Sequence, residues 1–179
     1  RKFIKGEWAQ TLDKIKNVIS EYKKHGIKPF SLLKESEKLL GGEKNKAIDI
    51  AKIYDLYLQK TNILSALEIG DIYSSILEIN ENGFLKIFSE LFGEIDQILL
   101  NGFDEFTNSE LKIIEKISKS LEIDMIINFD YFHGNYNLFT HLEDTYNSLL
   151  EIGFKQIEDK TPIEQFGFRK AVRSNLFQN

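Results

Sequence analysis

Apolar positions recur at steps of three or four through most of the first half of the chain, the spacing that stacks side chains on one helical face. Trp8, Leu12, Ile15, Ile19 and Tyr22 form the first such stripe, and Gly26 stands where a left-handed C-terminal cap would close it. A shorter helix is predicted over Phe30 to Leu40, ended by Gly41 and Gly42. Ala47, Ile50, Ala51, Tyr54, Tyr57 and Leu58 mark one face of a longer helix, and Ile69 to Ile79 and Phe84 to Phe92 predict further pieces. Pro29 and Pro162 are the only prolines, so little in the chain forbids helix.

The pattern changes near Gly93. Gln97 to Phe103 is a short apolar run suited to a buried strand, and Ile123 to Phe129 is another. Between them, Thr107-Asn108-Ser109-Glu110 is a capping box: the Thr side chain can accept the Glu110 amide while the Glu carboxylate reaches back. The helix it opens carries Leu111, Ile114, Ile117 and Leu121 on one face. Strand, helix and strand in about thirty residues is the size of a βαβ unit, which predicts parallel strands and a right-handed crossover. After the polar turn at His133, Gly134 and Asn135, a helix with Leu138, Leu142, Tyr146 and Leu149 on its stripe is predicted to run to Gly153. A third strand over Phe154 to Glu158 and a last helix around Arg169 to Leu176 complete the expectation. The fold class is α/β, helix-rich with a small parallel sheet.

Composition narrows the function classes. With 42% hydrophobic residues and 12% aromatics, the 179-residue chain can bury a core. The absence of Cys excludes disulfides, thiolate zinc sites and cysteine nucleophiles together. A net charge of −5 makes the surface as a whole a poor non-specific phosphate binder, so contact with DNA would need a local patch or a larger assembly. No apolar run approaches a membrane span and no secretory leader opens the chain, so the expectation is a cytoplasmic protein without a membrane partner. Arg1 in place of an initiator Met suggests a piece of a longer protein.

Several constellations bear on chemistry. Gly41-Gly42-Glu43-Lys44 is the nearest approach to a phosphate loop, but it lies between helices with the wrong spacing and reads as a turn. His25, His133 and His141 offer no His-x-x-x-His pair for a metal. Asp104 and Glu105 follow the first strand, where α/β folds place functional carboxylates. With Asp130 they could hold magnesium, or they could simply complement the next helix dipole. Tyr131, Phe132 and Tyr136 could stack on bases, yet no Lys or Arg is interleaved, which favours packing. No Gly-x-Ser-x-Gly elbow occurs.

The run from Ile98 to Leu111, with Asn101-Gly102-Phe103-Asp104-Glu105-Phe106-Thr107 at its centre, resembles the strand–turn–helix of AddB/RexB-type helicase–nuclease subunits. In that family a hydrophobic strand leads into Asp-Gly-Phe-x-x-Phe-Thr-Pro, at the place of the Walker B box of UvrD-like helicases. Ala47 to Leu58, Leu138-Phe139 and Arg173 to Phe177 are similar to flanking segments of the same family. The resemblance implies that Asn101 stands at the magnesium-associated Asp and Gly102 at the catalytic Glu. The Walker B site would then be degenerate, with no catalytic residue, cofactor or metal held by this chain; ATP and magnesium would belong to the parent protein. It also implies a P-loop helicase-like domain in which residues 1–92 form a helical insertion and 93–179 part of the α/β core. DNA and an active helicase–nuclease partner subunit would be met through the parent, in double-strand break repair and recombination. Two other readings stay open: a free-standing α/β protein-interaction domain, and a metal-dependent hydrolase using Asp104, Glu105 and Asp130.

Overall fold

Helices account for most of the structure, a computed structural model that describes residues 3–103, 105–129, 131, 135–157 and 167. Helix α1 covers Phe3–Lys24, α2 Pro29–Ser36, α3 Gly41–Ile63, α4 Ile69–Glu78 and α5 Glu81–Phe92. Strand β1 (Gln97–Leu100), α6 (Asn108–Ser120) and β2 (Asp124–Ile127) follow, then α7 (Tyr136–Phe139), a 3₁₀ turn (Thr140–Leu142) and α8 (Glu143–Ile152). The chain divides into two compact units: residues 1–84 with 107–113, and residues 85–106 with 114–179.

The first unit is helical. Its core holds Ile19 of α1, Ala51 and Tyr54 of α3, and Phe84 of α5, all members of the apolar stripes. Tyr54 is buried along with its hydroxyl, which donates to the Ile27 carbonyl at 2.9 Å and so satisfies a group that burial would otherwise penalise. Gly26 has φ +70°, and a Cβ there would lie 3.1 Å from Ser109 Oγ, so both conformation and space favour glycine at the end of α1.

In the second unit, β1 and β2 pair in parallel with Gln97 opposite Asp124 and Leu100 opposite Ile127. Met125, Ile126 and Ile127 are apolar on both faces of β2, the composition of a strand meant to be covered on both sides. Among the described residues of this unit, Ile114, Leu142 and Leu149 are the buried apolar positions.

The structure departs from the expected elements in four places. Helix α2 ends at Ser36, where the Ser36 hydroxyl donates to the Leu33 carbonyl at 2.6 Å and the chain turns; Gly41 and Gly42 open α3 instead of closing α2. A helix N-terminus needs no partners for its first amides within the helix, so glycines are tolerated there, and Glu43 complements the dipole. Both strands are shorter than the apolar runs, because Gly102, at φ +82°, turns the chain just beyond β1. The stripe from Leu138 to Leu149 is broken by the 3₁₀ turn, and α8 starts afresh with Glu143 and Asp144 in its first turn. Residues 154–157 form no strand: Gly153, at φ +115°, closes α8, and Ile157 stands 81% exposed. The helix expected around Arg169 to Leu176 and the Glu158 end of that strand lie outside the described residues. Among the described residues no helix is long and apolar enough to cross a membrane.

Candidate functional site

The carboxyl ends of parallel strands are where open α/β sheets bind ligands, because the loops diverge there. Here Asn101 follows β1 and Asn128 follows β2, and the ladder continues one step as the Asn128 amide donates to the Leu100 carbonyl at 2.9 Å. The two side chains meet directly: Asn128 Nδ2 donates to Asn101 Oδ1 at 3.2 Å, with both residues exposed. Gly102 lies next to this pair in the left-handed region, and nothing stands within 4 Å of where its Cβ would be. Backbone conformation, not crowding, is what favours glycine at that turn. Phe103 stacks on Phe106 with ring centroids 5.5 Å apart, which anchors the loop before α6.

Chemically, the strand ends present neutral amides. A neutral amide attracts magnesium less than a carboxylate, and the Asn101 oxygen is already engaged by Asn128. Gly102 has no side chain to polarise water. These two positions therefore do not fit a magnesium–nucleotide group.

Of the other sequence candidates, only some fall within the described residues. Glu105 is exposed in the loop after β1, while Asp104 and Asp130 lie outside the described residues. His25 is exposed past the end of α1 in the first unit, His141 is exposed in the 3₁₀ turn of the second, and His133 lies outside the described residues. Among the described residues no group of three or more His, Asp or Glu is arranged to hold a metal ion. Tyr131 is enclosed by aromatics: its ring stacks on Tyr146 at 4.4 Å, lies 6.4 Å from Phe129, and meets Phe139 edge-on at 6.4 Å. Phe132 and the Tyr136 side chain lie outside the described residues. Gly41 and Gly42 have nothing within 4 Å of their Cβ positions.

Two polar clusters stand in the first unit; sequence reasoning missed the one around Lys23 and, in the other, the part played by Tyr73. The Lys23 side chain is 4% exposed, its ammonium 2.6 Å from Asp71 Oδ2 and 2.8 Å from Glu68 Oε2. Tyr57 donates to Glu68 Oε1 at 2.8 Å, and the Glu68 amide donates to Asp71 Oδ2 at 2.9 Å. Glu68 Oε2 has no hydrogen bond of standard geometry and is balanced by the ammonium charge alone. Burial by itself would lower the Lys23 pKa, but the hydrogen bonds and charges of Asp71 and Glu68 outweigh it and hold it above the ordinary value. Burial likewise works to raise Glu68 and Asp71, and Lys23 wins, leaving both below the usual carboxylate values. Tyr57 is pushed up to about 12, first by burial and then by its bond to Glu68. Tyr54, shut in beside the same carboxylates, also rises to about 12.

The cluster lashes α4 to α1. Gly70 makes this possible: a Cβ there would sit 2.5 Å from the Lys23 carbonyl carbon. A polar cavity of about 20 Å³, lined by Lys23, Ile27, Tyr54 and Asp71 among others, is large enough for one water and too small for a ligand. The only hint in the sequence was Glu68-Ile69-Gly70-Asp71, an acidic pair at helix-start spacing with a glycine inside.

The second cluster confirms the capping box. The Thr107 amide and hydroxyl donate to Glu110 Oε2 at 2.7 and 2.9 Å, and the Glu110 amide donates to Thr107 Oγ1 at 3.3 Å. Tyr73 of α4 adds a 2.7 Å bond to Glu110 Oε1. Burial would raise Glu110, but Tyr73 and Thr107 hold it below its usual value, and the same bond pushes Tyr73 up to about 12.

The molecule so described is a helix-rich α/β chain whose parallel strands end in an amide pair and a glycine turn. Over residues 9–172 it matches the family described as ADDB, N-terminal, and the chain belongs to that family. No curated protein and no solved structure matches it. The family makes this an AddB-type chain, of the class of DNA-repair helicase–nuclease subunits.

Proposed function

We propose that this chain is a non-catalytic, helicase-like part of an AddB-type subunit that processes double-strand DNA ends for recombinational repair. The observation that carries the reading is the family match over residues 9–172, which covers the strand–turn–helix at Asn101. The amide pair and the Gly102 turn are consistent with it: neutral groups at the ends of the parallel strands lack the chemistry of the Walker B acid pair that this reading puts there. On this reading residues 1–92 are the helical insertion of a P-loop helicase-like domain and 93–179 belong to its α/β core. This chain itself holds neither ATP nor magnesium, nucleotide turnover falls to the active helicase–nuclease partner, and DNA is met through that cytoplasmic assembly. The chain itself contributes framework: the Lys23 cluster fixes α4 on α1, and the Glu110 cap fixes the start of α6.

The test uses the complete protein that contains this chain, purified with its helicase partner. Linear and covalently closed duplex DNA are offered with and without ATP, with each subunit omitted in turn. The reading expects ATP-dependent degradation of linear DNA alone, requiring both subunits. Degradation by the partner unaided, at the full rate, would remove the proposed role.

A further inference from the structure

In the second unit an open groove has an apolar floor and acidic surroundings. Leu85, Phe88, Ile95, Leu121 and Ile123 line a cavity of about 310 Å³. That volume lies at the small end of ligand-sized clefts and suits a pair of large apolar side chains. Beside it on α5, Leu91 and Phe92 are 71% and 61% exposed, so the apolar surface extends past the groove. Glu94 lines the groove itself, and over residues 85–97 and 121–127, which contain the lining positions, the sequence carries Glu90, Asp96, Glu122 and Asp124 besides, against Lys86 alone. All five carboxylate residues are exposed. Lys86 stands 3.9 Å from Glu90, and among the described residues no ion pair engages Glu94, Asp96, Glu122 or Asp124.

We infer that this groove docks a basic amphipathic helix of a partner polypeptide, with apolar side chains in the cavity and flanking Lys or Arg side chains meeting the unpaired carboxylates. Apolar surface alone would accept many occupants; the charge selects among them. Phosphate-bearing ligands are repelled by this rim. A second copy of the chain carries the same net charge of −5, and joining two such grooves face to face would bring like charges together. A cationic helix supplies what both surfaces lack, as in helix-in-groove recognition generally. The inference stands on the groove alone and does not depend on the repair function.

The probe is a fluorescein-labelled synthetic helix of leucine and lysine, titrated into the 179-residue chain and followed by anisotropy. Saturable binding is expected, with a dissociation constant on the order of micromolar. Glu94→Lys combined with Glu122→Lys is expected to weaken it at least about tenfold. Glu37→Lys combined with Asp49→Lys makes the same change in net charge on the first unit and is expected to leave affinity within about twofold. A peptide with serine for leucine is expected not to bind the unaltered chain, which keeps the test decisive even if a variant folds poorly. Absence of binding, equal weakening by both double variants, or undiminished binding of the serine peptide would each overturn the inference. So would sedimentation of the free chain as a dimer that the Glu94 and Glu122 reversals dissociate.

Discussion

Gly70 and Lys23 show how closely single side chains are fitted. An alanine methyl at Gly70 would fall 2.5 Å from the Lys23 carbonyl carbon and 2.6 Å from its Cβ, so helix α4 would have to move off α1. Gly70→Ala is therefore expected to cost about 3 kcal/mol, at the upper end for overpacking, read from urea unfolding. Lys23→Ala should cost a similar amount, about 3 kcal/mol, because Glu68 and Asp71 would be left as uncompensated carboxylates. Their side chains remain 24% and 28% exposed, which keeps the figure from rising further. The pH dependence follows in sign. Glu68, Asp71 and Glu110 are held below their ordinary values of 4.5, 3.8 and 4.5, so their stabilisation is present above those values and lost as pH falls through the folded ones. Tyr54, Tyr57 and Tyr73 rise from 10.0 to about 12, and Lys23 rises from 10.5; their stabilisation is present below the ordinary values and lost as pH climbs toward the folded ones. The melting temperature should thus fall on both flanks, below about pH 4.5 and above about pH 10. A melting temperature that climbs on acidification from neutrality would contradict this.

Helices were largely legible because a stripe and a punctuating residue each leave a mark. Ala51 and Tyr54 are buried as the spacing of their stripe requires, Ile19 is buried in the first stripe although Leu12 is exposed, and Gly26 and Gly153 stand at helix ends with positive φ. The Thr107–Glu110 box was readable because both partners lie within four residues. Its third partner was not: Tyr73 lies 37 positions from Glu110, and no local pattern announces it. The Lys23 cluster was hidden for the same reason, since Lys23 and Asp71 are separated by 48 positions. Strand ends were overrun because an apolar run does not reveal where a left-handed glycine will turn the chain, and the glycine pair at 41–42 suited a helix start as well as a stop. The candidate site was legible only through family resemblance; neutral Asn101 and Gly102 carry no chemical signature of their own. Glu110→Ala should remove the reciprocal cap and the tyrosine bond together, costing about 2 kcal/mol. Tyr73→Phe removes one bond and should cost about 1 kcal/mol. Thermal unfolding of the two variants checks the difference, and equal losses would mean that the cap contributes nothing.

The family match spans both compact units, so the AddB-type assignment rests on the framework of the chain and not on one motif. Within that framework the helical unit invests its buried charge in holding helices together, and the strand ends present neutral amides, at what the proposed function takes to be carboxylate positions. The account therefore predicts a subunit that supports DNA processing without nucleotide turnover at this position. The most direct measurement is ATP hydrolysis by the complete protein with its partner's own phosphate loop inactivated, before and after Asn101→Ala. Turnover should stay at background in both. Turnover well above background that drops by about 10² on loss of the Asn101 side chain, the scale expected for removing a group that stabilises a transition state, would show a working site and contradict the account.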